Sequence, residues 1–193
     1  HTLPLPHGTL PYDTHGEGGR AIVCIPGIGD TRASYRVLAP ALGENDRVYV
    51  LDLRGHGDSS ATFPSYTSSD IARDVVALLE AEDLHDAVLI GNSIGGGAAC
   101  HAAVLAPERV GLVVLLNPFV RDMPADRWMR PMVPLMFAGL WGAWAWEQYR
   151  KTLFKTAPDD LTDDHARVRA MLQDPPRLAA MREMLRASKA DIQ

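Results

Sequence analysis

The sequence has 193 residues, of which 47% are hydrophobic and 22% charged, and it carries a net charge of -5 at neutral pH. That length buries one good core with room for a small insertion, and the acidic balance leaves no basic footprint for nucleic acid. Its two cysteines, Cys24 and Cys100, have no metal-ligand spacing and read as small buried hydrophobes of a reducing, cytoplasmic compartment.

The opening His1-Thr2-Leu3-Pro4-Leu5-Pro6 lacks a basic region followed by an apolar run, so no signal peptide is expected. It also lacks an initiator Met, which leaves room for further sequence before it. Thr9 to Thr14 reads as a short edge strand, stopped by the turn signal His15-Gly16-Glu17-Gly18-Gly19. Ala21 to Ile25 is a continuous apolar run, the pattern of a strand covered on both faces. Pro26-Gly27-Ile28-Gly29-Asp30 breaks it, and Thr31 to Leu42 has helical spacing through Tyr35, Leu38, Ala39 and Leu42. A second apolar strand, Arg47 to Leu51, leads into the loop Asp52-Leu53-Arg54-Gly55-His56-Gly57-Asp58-Ser59-Ser60. The next helix takes Ser68 or Ser69 as its N-cap and places Ile71, Val75, Leu78 and Leu79 on one face.

The stretch from Ala87 to Ala99 reads as a short buried strand, a very tight turn and a small-residue helix. Its centre, Gly91-Asn92-Ser93-Ile94-Gly95, fits the G-x-S-x-G nucleophile elbow in the context that motif requires. Ser93 is therefore expected at the apex, in a strained conformation, with the amides of a helix start facing its oxygen. A further apolar strand runs from Val110 to Leu116. Strands alternating with helices predict an α/β protein with a mainly parallel sheet and helices on both faces. Ligands of such sheets bind beyond the carboxyl ends of the strands, where Ile28, Asp52 and Ser93 would emerge.

After Asn117-Pro118-Phe119 the pattern changes to helical stretches separated by proline. Thr162 begins one helix, carrying Val168, Met171 and Leu172. Asp174-Pro175 is an N-cap followed by Pro at the first helical position, opening another with Leu178, Met181 and Leu185. Met132 to Trp146 is apolar but too short, and interrupted by Pro134, for a membrane span. The expected division is a core over residues 1–121 and a helical lid over 122–193.

Three motifs in this order resemble the α/β-hydrolase fold family: the Pro26-Gly27-Ile28-Gly29 loop, the loop from Asp52 to Ser59, and the Ser93 elbow. The resemblance implies a catalytic nucleophile, Ser93, and an oxyanion hole from the amides of Ile28 and Ile94. The family's loop usually begins His-Gly; here Pro26 replaces the histidine and leaves the Ile28 amide available. The helical remainder resembles the family's lid, and Trp141, Trp144 and Phe119 are its expected substrate wall.

The family's triad continues with an acid and then a histidine on later strands, and none follows here before Gln193. The resemblance thus implies a fragment of a longer protein, with a degenerate family member as the alternative. Seven histidines are present. His56 reads as a turn element, and His101 lies roughly 12 Å along its helix from Ser93. His165 belongs to a helix start where Asp163 and Asp164 favour the dipole. Asn117 cannot serve as an acid, and Asp122 reads as the lid hinge.

The function implied is a serine hydrolase acting on an ester of a small, fairly apolar substrate through an acyl-enzyme, with no metal or organic cofactor. A C–C bond hydrolase of ring-fission products and a haloperoxidase-like or acyltransferase relative share the same core. A catalytically dead small-molecule receptor is the reading from another class. Oligomeric state stays open.

Overall fold

The computed structural model describes residues 1–153 and 161–187. Six strands form one sheet: β1 (Thr2–Leu5), β2 (Gly8–His15), β3 (Ala21–Ile25), β4 (Arg47–Leu51), β5 (Ala87–Asn92) and β6 (Val110–Leu116), in the order β1-β2-β4-β3-β5-β6. The first two pair antiparallel, β2 runs antiparallel to β4, and β4, β3, β5 and β6 are parallel. Three strands coincide with their sequence-read bounds, because continuous apolar runs between turn residues leave little freedom of register. The edge strand expected at Thr9 to Thr14 is instead the second strand, since the proline-containing segment Thr2–Leu5 folds back on it, pairing Thr2 with Pro11 and Leu5 with Gly8.

The sheet divides the core in two. Alternation along β3 sends Val23 and Ile25 to one face and Ile22 and Cys24 to the other. The first face is covered by α2 (Ser68–Ala81) and α3 (Ile94–Leu105), the second by Tyr35, Ala39 and Leu42 around α1 (Leu38–Gly43). Thr31 to Leu42 is not one helix: a 3-10 turn over Arg32–Tyr35 precedes α1. Thr67, not Ser68 or Ser69, caps α2, its side chain accepting from the Asp70 amide while Asp70 accepts from the Thr67 amide. The buried face of that helix is the expected one, with Ile71, Val75, Leu78 and Leu79 all buried.

On the far side the sheet ends at β6. Leu112, Leu115 and Leu116 there remain 49%, 41% and 41% exposed, and among the described residues no strand pairs with its outer edge. Beyond β6 the described residues form only helices and turns: α4 (Asp126–Met129), α5 (Val133–Met136), α6 (Gly142–Lys151), α7 (Leu161–Leu172) and α8 (Pro175–Arg186), with 3-10 turns between. Asp174 does cap α8 by position, with Pro at the helix start, but its carboxylate pairs with Arg177 instead of an amide. Residues 154–160 and 188–193 of the expected lid lie outside the described residues. Among those described, no helix is long and apolar enough to cross a membrane.

These helices sit over the carboxyl ends of β3 and β4. Met171 of α7 accepts a hydrogen bond from the Gly57 amide at 2.9 Å. Arg177 of α8 donates to the Ser59 carbonyl at 2.8 Å.

Candidate active site

Ser93 joins β5 to α3 at φ 56° and ψ -117°. This conformation suits glycine, and an L side chain there is strained by order 1–3 kcal/mol. Its neighbours explain why the turn closes so tightly. A Cβ on Gly91 would lie 2.3 Å from the Gly95 carbonyl oxygen, and one on Gly95 would lie 2.4 Å from that of Ile25. Strand and helix therefore pass at a distance only bare backbone permits. The Ser93 amide donates to the Leu116 carbonyl at 3.0 Å, and its own carbonyl accepts from the Phe119 amide at 2.9 Å. Both ends of the serine are thus tied to the segment leaving β6.

The loop after β3 crosses directly over this turn. A Cβ on Gly27 would sit 3.3 Å from the Ser93 Cβ, and the Asp30 amide donates to the Gly27 carbonyl at 3.2 Å, closing a turn around Ile28. Ile28 and Ile94 are both buried. Among the described residues neither amide has a hydrogen-bond acceptor. Amides of buried residues are rarely left so; one of these follows Ser93 directly, and the other follows Gly27, which lies against the serine.

Tyr35 holds this corner from behind. Its hydroxyl lies 3.1 Å from the Ile25 carbonyl and 3.2 Å from that of Ile90, on adjacent strands. Burial pushes its ionisation far up. By its spacing Tyr35 is only a helix-face residue; nothing in local spacing marks a contact across 55 residues of chain.

The loop after β4 is fixed by charge. Asp52, almost wholly buried, accepts from the amides of Arg32 at 2.8 Å and Asp58 at 2.9 Å and from the Arg32 guanidinium. Burial raises its carboxyl above the usual range, and these donors work against that rise. Arg54 binds Asp74 of α2 through two hydrogen bonds of 2.8 and 2.6 Å, a bidentate pair that fastens the loop to the helix.

No histidine is hydrogen bonded to Ser93 among the described residues. His56 is fully buried, with Nδ1 3.2 Å from the Arg54 carbonyl, and desolvation lowers its pKa to about 4. His101 Nδ1 meets Ser69 Oγ at 3.0 Å. His165 is buried on α7, where desolvation lowers its pKa. No cluster of His, Cys, Asp or Glu that could hold a metal is formed among the described residues.

Phe119 stands beside the serine through its backbone, whereas Trp141 and Trp144 are 52% and 54% exposed. The tryptophan turned inward is Trp146, edge-on to Phe137 and packed on Gly29. The helical phase of α6 decides this: Trp146 and Arg150, four apart, share its buried face, and Trp144 lies off it. A cleft of about 590 Å³ adjoins Arg32, Asp52 and Asp58, and another of about 1050 Å³ runs past Tyr66, Trp128 and Arg130. Ser93 lines neither.

Comparison with known proteins agrees with this architecture. A family model described as the alpha/beta hydrolase fold matches residues 20–175. A dihydrolipoyllysine-residue acetyltransferase component of an acetoin cleaving system from Pseudomonas putida is 35% identical over 105 residues, covering 54% of this chain and 28% of its own. A serine hydrolase-like protein from Danio rerio is 33% identical over 125 residues, 61% of this chain and 37% of its own. The crystal structure of a hydrolase from Pseudomonas aeruginosa PA01 superposes with a TM-score of 0.72 at 29% identity, covering 94% of this chain and 69% of that one. The chain therefore spans well under half the length of those two sequence relatives. With the motif loops, the strained serine and the sheet order in place, this chain belongs to the alpha/beta hydrolase fold family.

Proposed function

We propose that this chain carries the nucleophile and oxyanion site of a serine hydrolase that cleaves a carboxylic ester of a small, fairly apolar substrate. The observation that supports this most strongly is the strained Ser93, followed directly by the acceptor-free Ile94 amide and crossed by the loop that carries the acceptor-free Ile28 amide. In this reading Ser93 Oγ attacks the ester carbonyl as its proton passes to a histidine base. The carbonyl oxygen gains the negative charge and takes hydrogen bonds from the Ile28 and Ile94 amides. Collapse expels the alcohol, protonated by the same base, and leaves an acyl-enzyme that water then hydrolyses. All seven histidines lie in described residues and none bonds Ser93, so no histidine of this sequence is assigned as that base. Phe119 and Trp146 are the proposed apolar wall, with Trp141 and Trp144 contributing only if the lid closes further.

The test uses a fluorophosphonate probe on the natural protein, with mass mapping of the adduct. Labelling at Ser93, lost in Ser93→Ala together with turnover of p-nitrophenyl acetate, is the expected result. Absence of any adduct would favour the receptor reading. Turnover of a ring-fission dienone but not the ester would move the assignment to C–C bond hydrolysis.

A further inference from the structure

Helix α6 grips the loop around Ile28 at two consecutive residues. Trp146 lies against Gly29, where an added Cβ would come within 2.2 Å of the indole Nε1. One turn along the same face, Arg150 hydrogen-bonds Asp30, 120 residues away in the chain. The other arm of the same guanidinium holds Asp164 of α7. Arg150 is 6% exposed, and a charge this deep persists only when its partners are held in register. Asp30 in turn closes the turn over Ile28 through its amide to Gly27. The chain of contact thus runs from α6 to Asp30 and to the turn that holds Ile28, whose neighbour Gly27 lies against Ser93.

We propose that Arg150 is a positioning residue for the reaction at Ser93: by fixing Asp30, with Trp146 against Gly29, it aims the Ile28 amide at the developing oxyanion. This rests on the serine-hydrolase reading. It means the oxyanion site is complete only while α6 is seated. A lid displaced for substrate entry leaves one donor unaimed, and its return restores both.

The experiment compares the natural protein with Arg150→Met, Arg150→Lys and Asp30→Asn, reading kcat and KM for p-nitrophenyl acetate and the rate of fluorophosphonate labelling. An interaction made only in the transition state lowers kcat and leaves KM. Arg150→Met is expected to lower kcat and the labelling rate about tenfold to a hundredfold, less than loss of a whole donor. Arg150→Lys keeps the charge without the fork and should recover part of that loss. Should Arg150→Met fail to fold, the near-isosteric Asp30→Asn makes the same comparison, and an equal fall in kcat is expected. Unchanged kcat in the folded variants, or a loss confined to KM, overturns the positioning role while labelled wild-type protein keeps the serine reading. Wild-type protein unlabelled at Ser93 overturns both.

Discussion

Replacing Ser93 by glycine should make this protein more stable while removing the proposed nucleophile. Elsewhere in a folded chain glycine costs roughly 0.5–1 kcal/mol relative to alanine, because it loses more freedom on folding. At φ 56° and ψ -117° the balance reverses, since the Cβ itself is the source of about 1–3 kcal/mol of strain. Ser93→Ala retains that Cβ and the serine hydroxyl has no hydrogen bond to lose among the described residues, so alanine is the proper reference. Subtracting the entropy cost from the strain leaves Ser93→Gly ahead of Ser93→Ala by on the order of 1 kcal/mol. For a chain of this size that corresponds to about 2–4 °C in Tm. Urea unfolding of the two variants, with matching m-values, measures the difference directly. If Ser93→Gly proved equal to or weaker than Ser93→Ala, the turn would not be strained and the elbow argument would fail.

Acid should act through His56, whose folded pKa of about 4 lies below the ordinary 6.5 because of desolvation. The unfolded chain binds the extra proton first, so this residue's contribution is full above about pH 6.5 and is lost as pH falls toward 4, amounting to about 3 kcal/mol in all. His56→Gln should flatten stability against pH across that window; an unchanged slope would rule His56 out. The outer β6 edge, unpaired among the described residues and with Leu112 and Leu115 half exposed, should make the 193-residue chain self-associate. Sedimentation velocity should show concentration-dependent species that Leu112→Lys with Leu115→Lys removes, and a monodisperse wild-type chain would contradict this.

What the sequence made legible follows the range of the forces involved. Strands β3, β4 and β6 and the serine turn are written in consecutive residues: apolar runs, then glycines where backbones meet. The short first strand was hidden because Pro4 and Pro6 mask a pairing that depends on its neighbour. The break before α1 was hidden because an amphipathic period is shared by a 3-10 turn followed by a helix. Thr67 is masked by the adjacent serines, which are equally good caps by type, although Asp70 three residues on carries the signal of a reciprocal cap. Asp30 with Arg150, Arg54 with Asp74, and Tyr35 with two strands join residues from 10 to 120 apart in the chain. No local pattern encodes such meetings. The same holds for the tryptophans: composition marks a cluster, and only helical phase against a neighbour says which one turns inward.

Tyr35 gives the sheet an unusual kind of rivet. Ile25 and Gly91 are the last residues in register between β3 and β5, and past them the two chains leave for opposite faces. A hydroxyl has one proton, so it can donate fully to only one of the two carbonyls within its reach at a time. The seam between the strands therefore has a single donor within hydrogen-bond distance of both carbonyls, one on each strand. The β3 and β5 exits beneath the serine turn are thus bridged by one side chain that comes from neither strand.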